Sequence, residues 1–359
     1  MPNAICSRVG VAAITLQRQG DGVAYAGALL ERAIASIVGE NPSVLELSPG
    51  NSRGPTHVEE ARFVLRLGLA QLRDAHSWWF FNHVGIARAQ RLIPSFIRRP
   101  YAVLLCGIEV WDPALTPDRK STLRHASTRV AISELTARRV RASHPDIGPI
   151  VACPLALLPK ETITSATDAA LLALVNDRSV LIVGRMSGSE RYKGHDELLE
   201  CWSEVLRVVP DAQLIVAGRG DDLERLQSKA GELGLQDRVF FAGFVGEQTL
   251  EALRKRVAVF AMPSRGEGFG LVYLEAMRAG MPCIGGTEDA GTEVIVDGET
   301  GICVNPANKT ALANAVILLL TTPSLRATYA AAGRKRFLSS FTFERFCDRL
   351  APILRDAFP

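Results

Sequence analysis

Long apolar runs are missing from this 359-residue chain. None reaches the roughly 18 residues that a membrane-spanning helix requires, so no transmembrane segment is expected. The opening stretch "VGVAAITLQ" is short and runs into polar, glycine-containing sequence, and it reads as a first strand rather than a signal peptide. Cysteine is scattered: seven residues, at 6, 106, 153, 201, 283, 303 and 347, with no CxxC pair. That pattern excludes a disulfide framework and a zinc site and fits a reducing, cytoplasmic setting. No solenoid-period repeat and no low-complexity tract occurs. Excess charge of one sign is also missing, the formal balance being +3, which gives no argument for nucleic-acid binding.

What the chain does contain is a sizeable apolar fraction, 47% hydrophobic against 22% charged, enough for substantial cores. Its length suggests two domains or one large one. Apolar runs of four to eight residues alternate with longer amphipathic segments, the pattern of βαβ units and parallel sheets. Strands are expected in the first half at 9–16, 43–47, 78–81, 101–106, 129–133 and 149–153. The second-half set is 179–184, 212–218, 238–243, 257–262, 282–286 and 301–304. Between them, residues 154–177 begin "PLALLP" and carry no strand signal. The expected α/β organisation is therefore a Rossmann-like domain over 1–153, a linker over 154–177 and a second Rossmann-like domain over 178–340. An amphipathic helix over 341–359 is expected to pack back across them.

Ligand-suited residues follow nearly every strand: Gly20 and Gly22, His83, Cys106 and Gly107, then Gly184 and Arg185, Gly218, Arg219 and Gly220, Gly243, Pro263 and Ser264. Open parallel sheets bind ligands at the carboxyl ends of their strands. Charge is unevenly spread. From Ala61 to Pro145 there are 14 Lys/Arg against 5 Asp/Glu, among them Arg88, Arg91, Arg98, Arg99, Arg138, Arg139 and Arg141. Two readings stand side by side: solvated helix faces, or a basic surface meeting an anionic acceptor or an anionic membrane peripherally.

Three stretches carry chemistry. "GRMSGSERYKGHDEL" (184–198) places Arg185 and Lys193 by one strand end, a fork and a point charge suited to a diphosphate. His195 reads as a helix-start residue. "AGRGDD" (217–222) and "FAGFVG" (241–246) are glycine turns; Gly218 fits a close backbone approach, and the backbone at Val245 could meet the edge of a base. There is no GxGxxG fingerprint, which argues against a nicotinamide enzyme. "SRGEGFGLVYLEAM" (264–277) is the most informative. Gly268 and Gly270 open the backbone ahead of a helix beginning near Leu271, so the amides of Phe269, Gly270 and Leu271 make an anion site at a helix N-terminus. Glu267 can accept from sugar hydroxyls, and Glu275 can clamp the vicinal hydroxyls of a ribose. Together these describe a nucleotide-sugar pocket.

"EGFGLVYLE" resembles the E-x7-E motif of retaining glycosyltransferases of family 4, which have the GT-B fold. "VGRMSGSERYKGHDELL", "IVAGRG", "RVFFAGFV", "MPSRGEGFGLVYLEAMRAGMPCIGG" and "VIVDGETGICVNP" are similar to that family's donor domain in order and spacing. The likeness is dense from Val180 to about Thr342 and looser before it, through "CGIEVWD" and "VAISELTARRV". It implies two Rossmann-like domains facing across a cleft. It also implies transfer of a hexose from a nucleoside diphosphate sugar, of the GDP-mannose or UDP-hexose type, with anomeric configuration retained. The acceptor would be a glycan, a lipid-linked oligosaccharide or a lipid in cell-envelope or exopolysaccharide biosynthesis. By this resemblance Arg185 and Lys193 hold the diphosphate, Glu275 the ribose and Glu267 the donor sugar, with no metal or other cofactor. The departing phosphate takes the acceptor proton.

The chain departs from that pattern twice. Many members have a histidine where this chain has Cys106, and a thiol does not replace an imidazole as a donor-sugar contact. Near the N-terminus "GDGVAYAG" keeps Gly22 but lacks the usual double glycine. His83 could compensate for the missing imidazole, serve the acceptor or be structural, and Glu109 and Trp111 either line the acceptor cleft or pack. A sugar-nucleotide epimerase or glycosyl phosphorylase, or a non-catalytic sugar-nucleotide-binding subunit, are the competing expectations.

Overall fold

The computed structural model describes residues 9–17, 22–47, 56–74, 77–111, 113–160 and 167–358. Gly20 and Cys6 of the sequence argument lie outside them. The chain divides into two compact units, Met1–Leu158 with Phe341–Pro359, and Pro159–Ser340.

The first unit holds β1 (Val9–Ala13), α1 (Gly22–Val38), β2 (Ser43–Glu46), α2 (His57–Arg73), β3 (Trp78–Phe81), α3 (Val84–Ala87) and α4 (Ala89–Leu92). β4 (Tyr101–Leu105), α5 (Pro117–Arg124), β5 (Thr128–Ala131), α6 (Glu134–Ser143) and β6 (Val151–Ala152) follow. All six expected strands form, and they pair in parallel in the order β2-β1-β3-β4-β5-β6. β1, β3 and β4 are buried at every position, as expected of strands covered on both faces. Trp79, Phe80 and Phe81 fill the centre. Helix starts are written locally: Thr56 and Glu59 form a capping box on α2, and Ser133 caps α6.

In the second unit α7 (Ala169–Leu174) precedes β7 (Ser179–Val183), so the stretch 154–177 contains a helix that its sequence pattern did not signal. Then come α8 (His195–Val208), β8 (Gln213–Ala217), α9 (Leu223–Glu232), β9 (Val239–Gly243), α10 (Glu247–Arg256), β10 (Val259–Met262), α11 (Leu271–Ala279) and β11 (Cys283–Gly286). α12 (Gly291–Val294), β12 (Gly301–Val304), α13 (Lys309–Thr321) and α14 (Pro323–Ser340) complete the unit. Its parallel sheet runs β12-β11-β10-β7-β8-β9 around Trp202, Phe260 and Tyr273. The order reverses between β7 and β10. That reversal leaves a crevice at their carboxyl ends, because the connections leave to opposite sides.

The last helix, α15 (Phe343–Ala357), belongs to the first unit. It packs on α1 and buries Phe346, Leu350 and Leu354, an i, i+4, i+8 stripe. Phe358 stacks on Trp78 with ring centroids 4.0 Å apart, and Arg349 donates to the Pro154 carbonyl at 2.8 Å. No single helix among the described residues is long and apolar enough to cross a membrane.

Candidate active site

The sheet reversal in the second unit brings together two loops distant in sequence, one leaving β7 and one leaving β10. The first carries Arg185, Glu190 and Lys193; the second carries Glu267. Lys193 Nζ lies 2.8 Å from Glu267 Oε1 and 3.8 Å from Glu190 Oε2, while Arg185 meets Glu190 Oε1 at 2.5 Å. The result is a chain of alternating charge, Arg185–Glu190–Lys193–Glu267. Burial pushes the Lys193 ammonium down, but Glu267 and then Tyr192 and Glu190 outweigh it, holding its pKa above the ordinary value. Glu190, which the sequence did not single out, spans both cations that were expected to bind phosphate. Its signal was only one acidic residue in a polar loop.

Glu267 is held through its backbone as well. Its N–H donates to Asp289 Oδ2 at 2.9 Å, and its carbonyl accepts from the Ala290 N–H at 3.2 Å. Asp289 also takes the Gly291 N–H at 2.9 Å. Burial lifts the Asp289 carboxyl to about 6 despite these donors. Sequence reading missed this residue too, because a buried carboxylate that positions a loop looks like any surface aspartate.

Gly270 stands at the N-cap of α11 with φ +94, and no side chain caps the helix. The N-cap residue therefore places no side chain over the first amides of the helix. Phe269 itself is buried, so its contribution is backbone alone, while Gly268 and Leu271 are half-buried beside it. A Cβ at Gly270 would sit 2.5 Å from the Tyr273 ring, which in turn is fixed by its hydroxyl donating to the Met262 carbonyl at 2.5 Å.

Glu275 has a different partner from Glu267. Its carboxylate pairs with Arg254 of α10, a guanidinium almost wholly buried and also 3.6 Å from Glu247. The two glutamates of the motif thus belong to separate ion pairs, and a cavity of about 110 Å³ lined by Arg254, Glu275, Arg278 and Lys160 lies beside the second. Gly218 has φ +145, and a Cβ there would lie 1.9 Å from the Gly184 carbonyl oxygen. That glycine is required by loop-on-loop packing between the ends of β7 and β8. Val245 is half-buried in the β9–α10 loop, next to an exposed Phe244 that stacks under Arg219 at 4.8 Å. His195 opens α8 as expected; burial, reinforced by Lys193, lowers its pKa to about 4, so it is neutral at pH 7.

The first unit gives its candidates structural partners. His83 caps α3, its Nδ1 accepting from the Gly85 N–H at 3.0 Å. The Cys106 thiol donates to the Asn82 carbonyl at 3.4 Å, and the Cys106 N–H donates to Glu109 Oε1 at 2.5 Å. Glu109 is thereby folded onto its own loop, and burial raises its pKa. Trp111 packs against the core with Arg139 4.2 Å above its ring. Gly22 begins α1 beside the reversal between β1 and β3, where buried Asn82 accepts from the Ile14 N–H and donates to the Val23 carbonyl, both at 3.2 Å. The arginines that suggested a basic face are largely engaged. Arg98 closes on the Ile93 carbonyl at 2.8 Å, Arg99 on those of Gln71 and Asp74 at 3.1 Å, and Arg141 on Glu134 and the Ile150 carbonyl at 2.9 Å. Arg88 and Arg91 share Asp118.

This arrangement of charges at a sheet reversal coincides with a family match over residues 166–336, to glycosyl transferases group 1. That match takes in just under half of the chain, and over it the chain resembles a group 1 glycosyl transferase domain. Over 187 residues the chain is 35% identical to the GDP-mannose-dependent alpha-(1-6)-phosphatidylinositol monomannoside mannosyltransferase of Mycolicibacterium smegmatis, covering 50% of this chain and 48% of that one. It is 39% identical over 157 residues to the phosphatidyl-myo-inositol mannosyltransferase of Mycobacterium leprae, covering 44% and 41%. The chain thus matches less than half the length of these relatives. Among solved structures, HepE of Anabaena in complex with UDP-glucose superposes with a TM-score of 0.75 over 97% of this chain and 99% of that one, at 18% identity. Such a likeness establishes the fold: two six-stranded parallel sheets of GT-B type.

Proposed function

We propose that the chain transfers a hexose from a nucleoside diphosphate sugar, with retention at the anomeric carbon, and that it does so without a metal ion. The observation that carries the reading is the Arg185–Glu190–Lys193–Glu267 chain at the β7/β10 reversal, next to the side-chain-uncapped N-terminus of α11. A diphosphate bound there meets two cations and a helix dipole, which together supply the charge stabilisation a metal would otherwise give to the leaving group. Glu267, held by Lys193 and Asp289, is placed to accept from hydroxyls of the donor sugar. Glu275 keeps one ribose-facing role through the carboxylate lone pairs that Arg254 does not use. The first unit contributes the acceptor side.

In the transfer step the bond from the anomeric carbon to the phosphate oxygen breaks, and its electron pair leaves with the nucleoside diphosphate. The acceptor oxygen bonds to the same face of that carbon and gives its proton to the departing phosphate. Lys193 and Arg185 stabilise the charge as it develops. The relative named for GDP-mannose makes that the first donor to assay, and a cell-envelope glycan, lipid-linked oligosaccharide or lipid the first acceptor class.

A panel of GDP- and UDP-sugars, assayed for donor hydrolysis and transfer with and without EDTA, tests the proposal. The expected result is turnover with one donor, unaffected by EDTA, strongly reduced in Lys193→Ala, and an axial or equatorial product linkage matching the donor by NMR. Turnover abolished by EDTA removes the metal-independent reading; inverted configuration removes the retaining one.

A further inference from the structure

Helix α2 carries two apolar stripes, and the fold buries only one. Phe63, Leu67 and Gln71, spaced four apart, face the core. On the opposite side Val58, Leu65, Leu69 and Leu72 remain in solvent, Leu65 at 63% and Leu72 at 58% exposure. On a 3.6-residue helix those four positions lie within about 60° of one another. Arg62, Arg73 and Arg66 follow along one edge of the stripe, within about the next 60°. All three are exposed, and none forms an ion pair among the described residues. The acidic residues of the helix, Glu59 and Glu60, are confined to its first turn, where Glu59 is spent on the capping box.

α4 packs on α2, the buried Gln71 and Gln90 side chains bond at 2.9 Å, and Arg99 clamps the C-terminal end of α2. On α4 itself Leu92, 71% exposed, lies beside Arg88, Arg91 and Asp118, and Phe96 after it is 82% exposed. An apolar stripe of this extent on a soluble surface is a recognition feature, since monomers seldom leave large apolar side chains grouped in water.

We infer that this face seats the chain on an anionic lipid surface. Leu65, Leu69 and Leu72 enter the boundary of the acyl chains, and Arg62, Arg66 and Arg73 reach the headgroup phosphates, their stems lying along the apolar stripe. Charge selects this occupant over a second copy of the chain, because a copy docked on the same face presents the same guanidinium-rich edge to its like. Of the guanidiniums that suggested a basic surface from sequence, Arg98 and Arg99 close on carbonyls and Arg88, Arg91 and Arg141 pair with acids, while Arg62, Arg66 and Arg73 on α2 stay exposed. The inference does not depend on which reaction the chain performs.

Co-sedimentation of the full chain with phosphatidylcholine vesicles, and with vesicles of equal parts phosphatidylcholine and phosphatidylglycerol, tests it at low and high salt. Binding to the anionic vesicles and not to the neutral ones is expected, weakening with salt. Leu65→Glu/Leu69→Glu and, separately, Arg62→Ser/Arg66→Ser/Arg73→Ser should each lower it by about tenfold or more. Both sets alter solvent-facing side chains, and circular dichroism and melting temperature verify the fold; the arginine variant serves if the leucine one does not fold. The proposal is overturned if the wild-type chain ignores anionic vesicles, or if the leucine variant binds as well as wild type. A wild-type dimer in sedimentation equilibrium that the leucine variant splits overturns it too, by assigning the face to a second copy.

Discussion

Glu190 is where a single residue most changes the expected chemistry. Its carboxylate occupies the two cations proposed to bind a diphosphate, Arg185 at 2.5 Å and Lys193 at 3.8 Å. A phosphate entering the pair is repelled by that charge. Glu190→Gln should therefore tighten GDP binding, measured by isothermal titration, by about 1 kcal/mol or roughly fivefold, a figure kept small because Arg185 is half in water. Weaker binding would show instead that Glu190 holds Arg185 in its working position. Glu275 behaves in the opposite way. Removing it strands the buried Arg254, so Glu275→Ala should cost about 3 kcal/mol of stability in urea denaturation, beyond any loss of donor affinity. Unchanged stability would mean that Arg254 finds Glu247 sufficient. Asp289 adds a pH signature. Its folded pKa, near 6, is above the unfolded value of about 4, so its contribution to stability is full below pH 4 and is lost as pH rises through 6. The amide introduced by Asp289→Asn does not titrate, so the stability gap between wild type and this variant should narrow from pH 4 to pH 7. A gap independent of pH in the same denaturation series would refute this.

At the scale of elements, the site depends on how α11 begins. Gly270 has a backbone conformation that a side chain resists, and the buried Tyr273 ring fills the space a Cβ would need. Gly270→Ala should lower stability by about 1–3 kcal/mol and, if the proposed phosphate site at this helix start is right, weaken nucleotide binding along with it. Thermal melting with and without GDP separates the two effects. Retained affinity in a destabilised variant would place the phosphate elsewhere. The β-strands were all legible because buried parallel strands show as short apolar runs between turn residues. Helix α7 was not legible, since two prolines and a polar run precede it and only Leu171 and Leu172 are buried.

For the whole molecule, the division into units makes a prediction about autonomy. Pro159–Ser340 is continuous in sequence and contains a complete six-stranded sheet, whereas the first unit needs α15 from the far end of the chain. The isolated 159–340 segment should fold, with a melting temperature raised by GDP. Deleting 341–359 should uncover the α1 face that Phe346, Leu350 and Leu354 cover and destabilise the first unit by several kcal/mol, at about 1.5–3 kcal/mol per side chain. Calorimetry of both fragments checks this; an unfolded 159–340 segment would contradict the autonomy.

Sequence by itself determined the strands, the α/β class and the glycine-led start of α11, because strand burial and helix-start glycines impose local patterns that can be read in order. Only the tertiary structure decided partnership. Lys193 and Glu267 lie 74 positions apart and meet because the sheet reverses between β7 and β10. The same folding set Glu190 across Arg185 and Lys193, buried Arg254 against Glu275 and turned Arg98 and Arg99 onto carbonyls. Charge in a sequence fixes what a side chain can pair with, and the chain path fixes which partner lies within reach.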